Sequence, residues 1–182
     1  MDRQTGIYNI IHGRLDEGYD FGYVGVVCSP ELVAKIKDWV SANLIPDQIL
    51  KAEDEPHITI KYGIHTKEPK EVAKIVQLKS RLTASFGSTS VFENDEEDIL
   101  LVEVLSPDFT ELNQLLTEHL KVTTTHPHYK PHLTLAYMKK GAAAPHVGSP
   151  FLQGQIVGWN AVVFSDAGGT KTEIKLSGDL LS

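Results

Sequence analysis

Two stretches of this 182-residue chain carry the same reactive residue types in the same order. One reads Pro56-His57-Ile58-Thr59-Ile60-Lys61-Tyr62, the other Pro131-His132-Leu133-Thr134-Leu135-Ala136-Tyr137. A bare His-x-Thr carries little information, because 8 histidines and 13 threonines give about 0.6 such pairs by chance. The full Pro-His-aliphatic-Thr-aliphatic-x-Tyr string should arise on the order of once in ten thousand chains, and here it recurs. A pair of imidazoles suits proton transfer at both ends of a phosphodiester. One neutral ring takes a proton from the attacking oxygen, and one protonated ring gives a proton to the leaving oxygen; an unperturbed pKa of about 6.5 fits either task. Threonine hydroxyls can donate to the non-bridging oxygens as charge builds there. The symmetry leaves open which histidine is base and which is acid. Two histidines could also ligate a metal, but such a site wants a third ligand and the motif stretches bring no carboxylate. The expectation is a site with no metal and no cofactor.

For four groups on distant stretches to act together, each stretch must aim them at one space. Both read as β-branched or aliphatic strands, at residues 57–62 and 132–137. In a strand, residues two apart share a face, so His57 pairs with Thr59 and His132 with Thr134, the aliphatics facing a core. The surrounding pattern repeats as well. Apolar strands at residues 23–28 and 99–105 each end in Ser-Pro, a helix-start signal. The helices that follow carry Leu32, Val33, Ile36, Trp39 and Val40 in one case, and Phe109, Leu112, Leu115, Leu116 and Leu120 in the other. A further helix is expected at about 68–78 and a strand at 82–92. An acidic turn at 94–98 reads as solvated, and the Gly, Ala and Pro-rich residues 139–150 as a mobile loop. Strands at 155–165 and 170–176 are joined by the hairpin signal Asp166-Ala167-Gly168-Gly169. The histidines stand 75 residues apart, about half a domain. The organisation expected is one domain over 1–182, with two α+β lobes sharing a cleft and residues 1–20 as an N-terminal arm.

Composition limits the partners. With 24 acidic and 17 basic residues the net charge is −7, which argues against broad binding to long nucleic acid but leaves room for a small anionic ligand. The lone cysteine, Cys28, sits in an apolar run and reads as a buried strand residue. No signal peptide or membrane span is legible, and the expected location is the cytoplasm.

Paired H-x-[T/S]-x motifs about half a domain apart in a duplicated α+β chain resemble the 2H phosphoesterase superfamily, over residues 23–176. The resemblance implies a bilobal, LigT-like α+β fold, with two antiparallel sheets lining a central cleft and helices outside. It implies His57, Thr59, His132 and Thr134 as a catalytic tetrad working without metal. It also implies substrates among 2′,3′-cyclic phosphates, 2′,5′-linked nucleotides, ADP-ribose cyclic phosphate and cyclic nucleotides. The wording Glu-Pro-His-Ile-Thr-Ile-Lys-Tyr-Gly and Tyr-Lys-Pro-His-Leu-Thr-Leu-Ala-Tyr is similar to phage-borne members that degrade the cyclic oligonucleotide alarms of bacterial immunity. The partner expected is therefore a small nucleotide, a cyclic di- or oligonucleotide first and an RNA end with 2′,3′-cyclic or 2′,5′ chemistry second. A nucleotide sensor that has lost turnover is the rival of another class.

Candidates for substrate contact surround the tetrad. Lys61 shares parity with His57 and Thr59 and could place an ammonium near a phosphate, or lie solvated at the strand end. Tyr62 and Tyr137 have the opposite parity and point to the core unless the strand bends. Tyr23 and Trp159 are possible stacking platforms, in apolar strands where plain core packing is the better reading. Tyr129 and Lys130, with His126 and His128, precede the second motif and could form the cleft rim. Glu103 interrupts an apolar strand and faces either the cleft or solvent.

Overall fold

The computed structural model of the protein describes residues 21–124 and 128–180; the N-terminal arm and His126 lie outside them. In chain order the elements are β1 (Gly22–Val27), α1 (Pro30–Asn43), β2 (Ile49–Ala52), β3 (His57–Ile64), α2 (Pro69–Val76), β4 (Leu82–Glu93), β5 (Glu97–Leu105), α3 (Pro107–His119), β6 (His132–Lys139), β7 (Ile156–Trp159), β8 (Ala161–Ser165), β9 (Lys171–Lys175) and α4 (Ser177–Leu180). Both Ser-Pro signals start helices. The Ser29 hydroxyl accepts from Leu32 N–H at 3.2 Å and the Ser106 hydroxyl from Phe109 N–H at 3.0 Å, each followed by proline in the first turn.

The strands form two antiparallel sheets, one ordered β3-β1-β8-β9 and the other β2-β6-β5-β4-β7. Each motif strand thus lies beside the strand that opened its own half, β3 on β1 and β6 on β5. The segment just before each motif crosses to the other half. β2 pairs with β6, setting Lys51 opposite Tyr137 and Ala52 opposite Ala136. In return, residues 121–123 run along the end of β3: His65 N–H donates to the Lys121 carbonyl at 3.1 Å and Thr123 N–H to the Gly63 carbonyl at 2.8 Å. Gly63 is needed there, because φ is +94° and a Cβ would meet the Thr123 carbonyl. The helices cross over too, α3 lying against β3 and α1 against β6. The halves are interlocked rather than stacked.

The core lies between sheets and helices. Val24, Val26, Ile58 and Ile60 from one sheet cluster with Val72, Val76, Leu112 and Leu116 from α2 and α3 and with Leu100, Val102 and Leu133 from the other sheet. Four expectations are corrected. The acidic turn is not simply solvated, since Glu97 and Asp98 are buried at the start of β5. There the Asp98 carboxylate accepts from Gly141 N–H at 2.8 Å and pairs with Lys140 at 3.2 Å. Residues 139–150 do not hang free: Ala143 is fully buried, Thr89 donates to the His146 carbonyl, and Ser149 N–H donates back to Thr89 at 2.7 Å. The stretch 155–165 is two strands, because the chain leaves one sheet at Trp159 and enters the other at Ala161. β2 carries only four residues with an alternating half-buried, exposed pattern, and it was not anticipated.

Trp159 is a core residue rather than a stacking platform. Its ring lies 5.5 Å from Phe109, and its Nε1–H donates to the Val27 carbonyl at 2.8 Å, pinning one sheet to the other. Trp159→Phe removes that bond and should lower the unfolding free energy by about 1–2 kcal/mol in a urea titration. An unchanged midpoint would mean that the pin contributes nothing.

Candidate active site

Each motif histidine is held by its own upstream backbone. His57 Nδ1 lies 2.9 Å from the Glu55 carbonyl, and His132 Nδ1 lies 2.9 Å from the Lys130 carbonyl. A carbonyl can only accept, so Nδ1 carries the hydrogen in both rings and Nε2 bears the lone pair when the ring is neutral. The intervening proline makes this possible by biasing the residue before it to extended backbone. The proline carbonyls are used as well, accepting from Cys28 N–H at 3.1 Å and Val104 N–H at 3.2 Å. His57, Thr59 and His132 are half-buried and Thr134 is buried. β3 and β6 approach each other although they belong to different sheets. The Tyr129 hydroxyl, held above its usual pKa by burial, donates to the Thr59 carbonyl at 3.0 Å and ties the approach to the second motif onto the first.

A β-bulge follows each threonine. On β3, Gly25 faces Thr59 and Val24 faces Lys61, so Ile60 is the extra residue. On β6, Leu101 faces Thr134 and Leu100 faces Ala136, so Leu135 is the extra residue. A bulge re-aims every side chain beyond it, which corrects three expectations. Lys61 does not share the His57 face; it pairs with the core residue Val24 and is itself buried. Tyr62 and Tyr137 come round to the motif face. Tyr62 pairs with Tyr23, while Tyr137 lies between Lys51 and Ile99 and is 2% exposed.

The two histidines differ in their neighbours. Tyr23, its phenol pushed up by burial, lies on the His57 face with ring centroids 6.3 Å apart. Phe92 meets the His132 ring edge-on at 4.8 Å. Glu53 stands at the end of β2, its N–H donating to the Leu135 carbonyl at 3.3 Å and its carboxylate accepting from Glu55 N–H at 3.3 Å. Burial raises its pKa, and the nearby His57 acts the other way. Lys130 serves through its carbonyl, its side chain being exposed, and His128 is exposed also. Cys28 is half-buried, its thiol pushed up to about 12 by burial. The sequence reading missed Glu53 and Phe92, because both reach the motif strands through cross-strand pairing that no local pattern displays. Among the described residues no three His, Cys, Asp or Glu side chains are grouped to hold a metal ion. A groove of about 700 Å³ lined by His65, Lys74, His119 and Lys121 lies at the far end of β3 and takes in none of the motif residues.

A sequence profile described as the 2′-5′ RNA ligase superfamily matches residues 29–156, both motifs included. The chain belongs to this superfamily. Members of the 2′-5′ RNA ligase superfamily are also called 2H phosphoesterases, and the group includes enzymes. No significant match is found among curated proteins. Among solved structures, TT0787 of Thermus thermophilus matches with a TM-score of 0.64 at 16% identity, over 87% of this chain and 99% of that one. LigT of E. coli in apo form matches with a TM-score of 0.61 at 11% identity, over 88% and 96%. Usb1 of Kluyveromyces marxianus with uridine monophosphate matches with a TM-score of 0.56 at 10% identity, over 87% and 99%. At such identities the likeness is one of fold, and it bears out the LigT-like α+β arrangement of a 2′-5′ RNA ligase relative.

Within that fold the buried Lys61 is an anomaly. Burial lowers its pKa, and no hydrogen bond or ion pair is formed by it among the described residues. A depressed lysine pKa opposes folding at low pH, and the penalty fades as pH climbs through the folded value toward the unfolded one of about 10.4. Lys61→Met should therefore stabilise the protein by about 1 kcal/mol at pH 7, and the gap to wild type should close by about pH 10. Urea unfolding at several pH values measures this; a gap independent of pH contradicts it.

Proposed function

We propose that the protein is a metal-independent phosphodiesterase acting on nucleotides, with His57, Thr59, His132 and Thr134 as its catalytic groups. The observation that carries this is the matched pair of Nδ1–H bonds to the carbonyls of Glu55 and Lys130, which makes Nε2 the working atom of both rings. One Nε2 accepts the proton of the attacking hydroxyl while the other, protonated, gives its proton to the departing oxygen. The hydroxyls of Thr59 and Thr134 donate to the non-bridging oxygens. The substrate proposed is a small nucleotide, first a cyclic di- or oligonucleotide signal, whose destruction in a host cytoplasm would serve a phage against bacterial immunity. The net charge of −7 supports a small ligand over a long strand. An RNA end carrying a 2′,3′-cyclic phosphate or a 2′,5′ linkage is the second reading, favoured by the family's description and by the structures of E. coli LigT complexed with 3′-AMP and of Usb1 with uridine monophosphate.

Purified protein should turn over at least one of a panel of cyclic dinucleotides, cyclic trinucleotides and 2′,3′-cyclic nucleotides in the presence of EDTA. The pH profile of kcat/KM should be bell-shaped. His57→Ala and His132→Ala should each cost about a hundredfold to ten-thousandfold in kcat, and Thr59→Val or Thr134→Val about a hundredfold. Full activity in either histidine variant would remove that residue from the chemistry. Tight binding without turnover across the panel would point to a sensor instead.

A further inference from the structure

We propose that the cleft wall beside His132 holds the substrate's nucleobase and selects guanine, with Glu103 as the hydrogen-bond acceptor and Leu105 and Ile156 as the apolar floor. This rests on the nucleotide phosphodiester reading of the cleft and adds the base to it.

The wall is laid out by strand register. Glu103 faces His132 across the β5–β6 ladder, so the two side chains share a face. Two residues on, about 7 Å along the strand, Leu105 lies on that same face. It pairs with Ser85, and Ser85 pairs in turn with Ile156. The opposite face of these strands carries the core residues Val104, Phe86 and Ala84. Leu105 and Ile156 are 64% and 74% exposed. Single exposed aliphatics are ordinary. These two flank one small residue, Ser85, beside a motif histidine, within a nucleotide's length of a phosphate held there. On the other sheet Val27, 54% exposed, is the direct partner of His57, so it stands where Glu103 stands beside His132 and offers no acceptor there.

Glu103 supplies the polar element. Its carboxylate leans over Gly87, where a built Cβ would stand 3.1 Å from the Glu103 Cβ and 3.4 Å from Oε2. Any larger residue at 87 would crowd that position. Glu103 is exposed and forms no hydrogen bond or ion pair among the described residues. A carboxylate accepts two parallel N–H bonds and donates none. Guanine alone of the four bases presents two adjacent donors, N1–H and N2–H, on its Watson–Crick edge. Adenine and cytosine set a ring-nitrogen lone pair beside their amines, and uracil flanks its one N–H with carbonyls. Each of these turns a lone pair toward the carboxylate.

Calorimetric titration with guanosine, adenosine, cytidine and uridine 3′-monophosphates, and with inorganic phosphate as the base-free control, tests the proposal. Guanosine 3′-monophosphate should bind on the order of tenfold more tightly than the other three. Glu103→Gln should erase that preference and leave phosphate affinity unchanged. Leu105→Ser and Ile156→Ser, at exposed positions that the fold tolerates, should weaken all four nucleotides severalfold without affecting phosphate. Equal affinity for the four nucleotides, no binding of any, a preference that survives Glu103→Gln, or an equal loss on phosphate would each overturn it. Binding alone decides the matter, so a failure of the base subsite is distinct from a failure of the catalytic reading, which would appear as turnover retained in His57→Ala or His132→Ala.

Discussion

A hydrogen bond from a ring nitrogen to a carbonyl two residues upstream governs both halves of the site. It fixes the tautomer of each imidazole, stops rotation of the ring, and directs the opposite nitrogen away from the backbone that holds it. The bond exists because proline stands between acceptor and ring. Proline holds its neighbour extended, gives up no N–H of its own, and passes its carbonyl to the adjacent strand. Replace that geometry and the histidine becomes an ordinary strand residue free to choose among rotamers.

The two bulges do related work further along. Without them a strand would send lysine or alanine to the reactive face and turn both tyrosines to the opposite one. With Ile60 and Leu135 inserted, the tyrosines come round to the motif side while Lys61 turns inward. The scaffold is duplicated, but the surroundings are not. One histidine neighbours a phenol and lies near a partly buried carboxylate; the other meets the edge of a phenyl ring. Equal tautomers in unequal settings are what a reaction needs when it asks one ring to take a proton and the other to give one.

Much of this was legible beforehand, and the reasons are local. The Ser-Pro helix starts, the alternation of the motif strands and the duplication all arise from short-range chemistry that a residue string displays directly. Three kinds of feature were hidden. Bulges leave no mark on strand parity, so Lys61, Tyr62 and Tyr137 were assigned to the wrong faces. Exchange of segments between halves depends on which edge is open, so the four residues of β2 drew no assignment from the sequence. The buried Asp98 carboxylate is met by donors from residues 141 and 143, more than forty positions later. Trp159 divides along the same line: its apolar strand pointed to the core, but its bond to the Val27 carbonyl is written in no pattern around residue 159.

The reciprocal crossing of the segments before each motif makes the chain a pair of partners fused into one molecule. A fragment ending after β5 would keep the first histidine but strand β2 with no companion, and it would leave the end of β3 open along the edge that residues 121–123 cover. Bare strand edges recruit other chains. Neither half can therefore be carved off as a smaller working unit, and substitutions in one half are held to account by backbone belonging to the other.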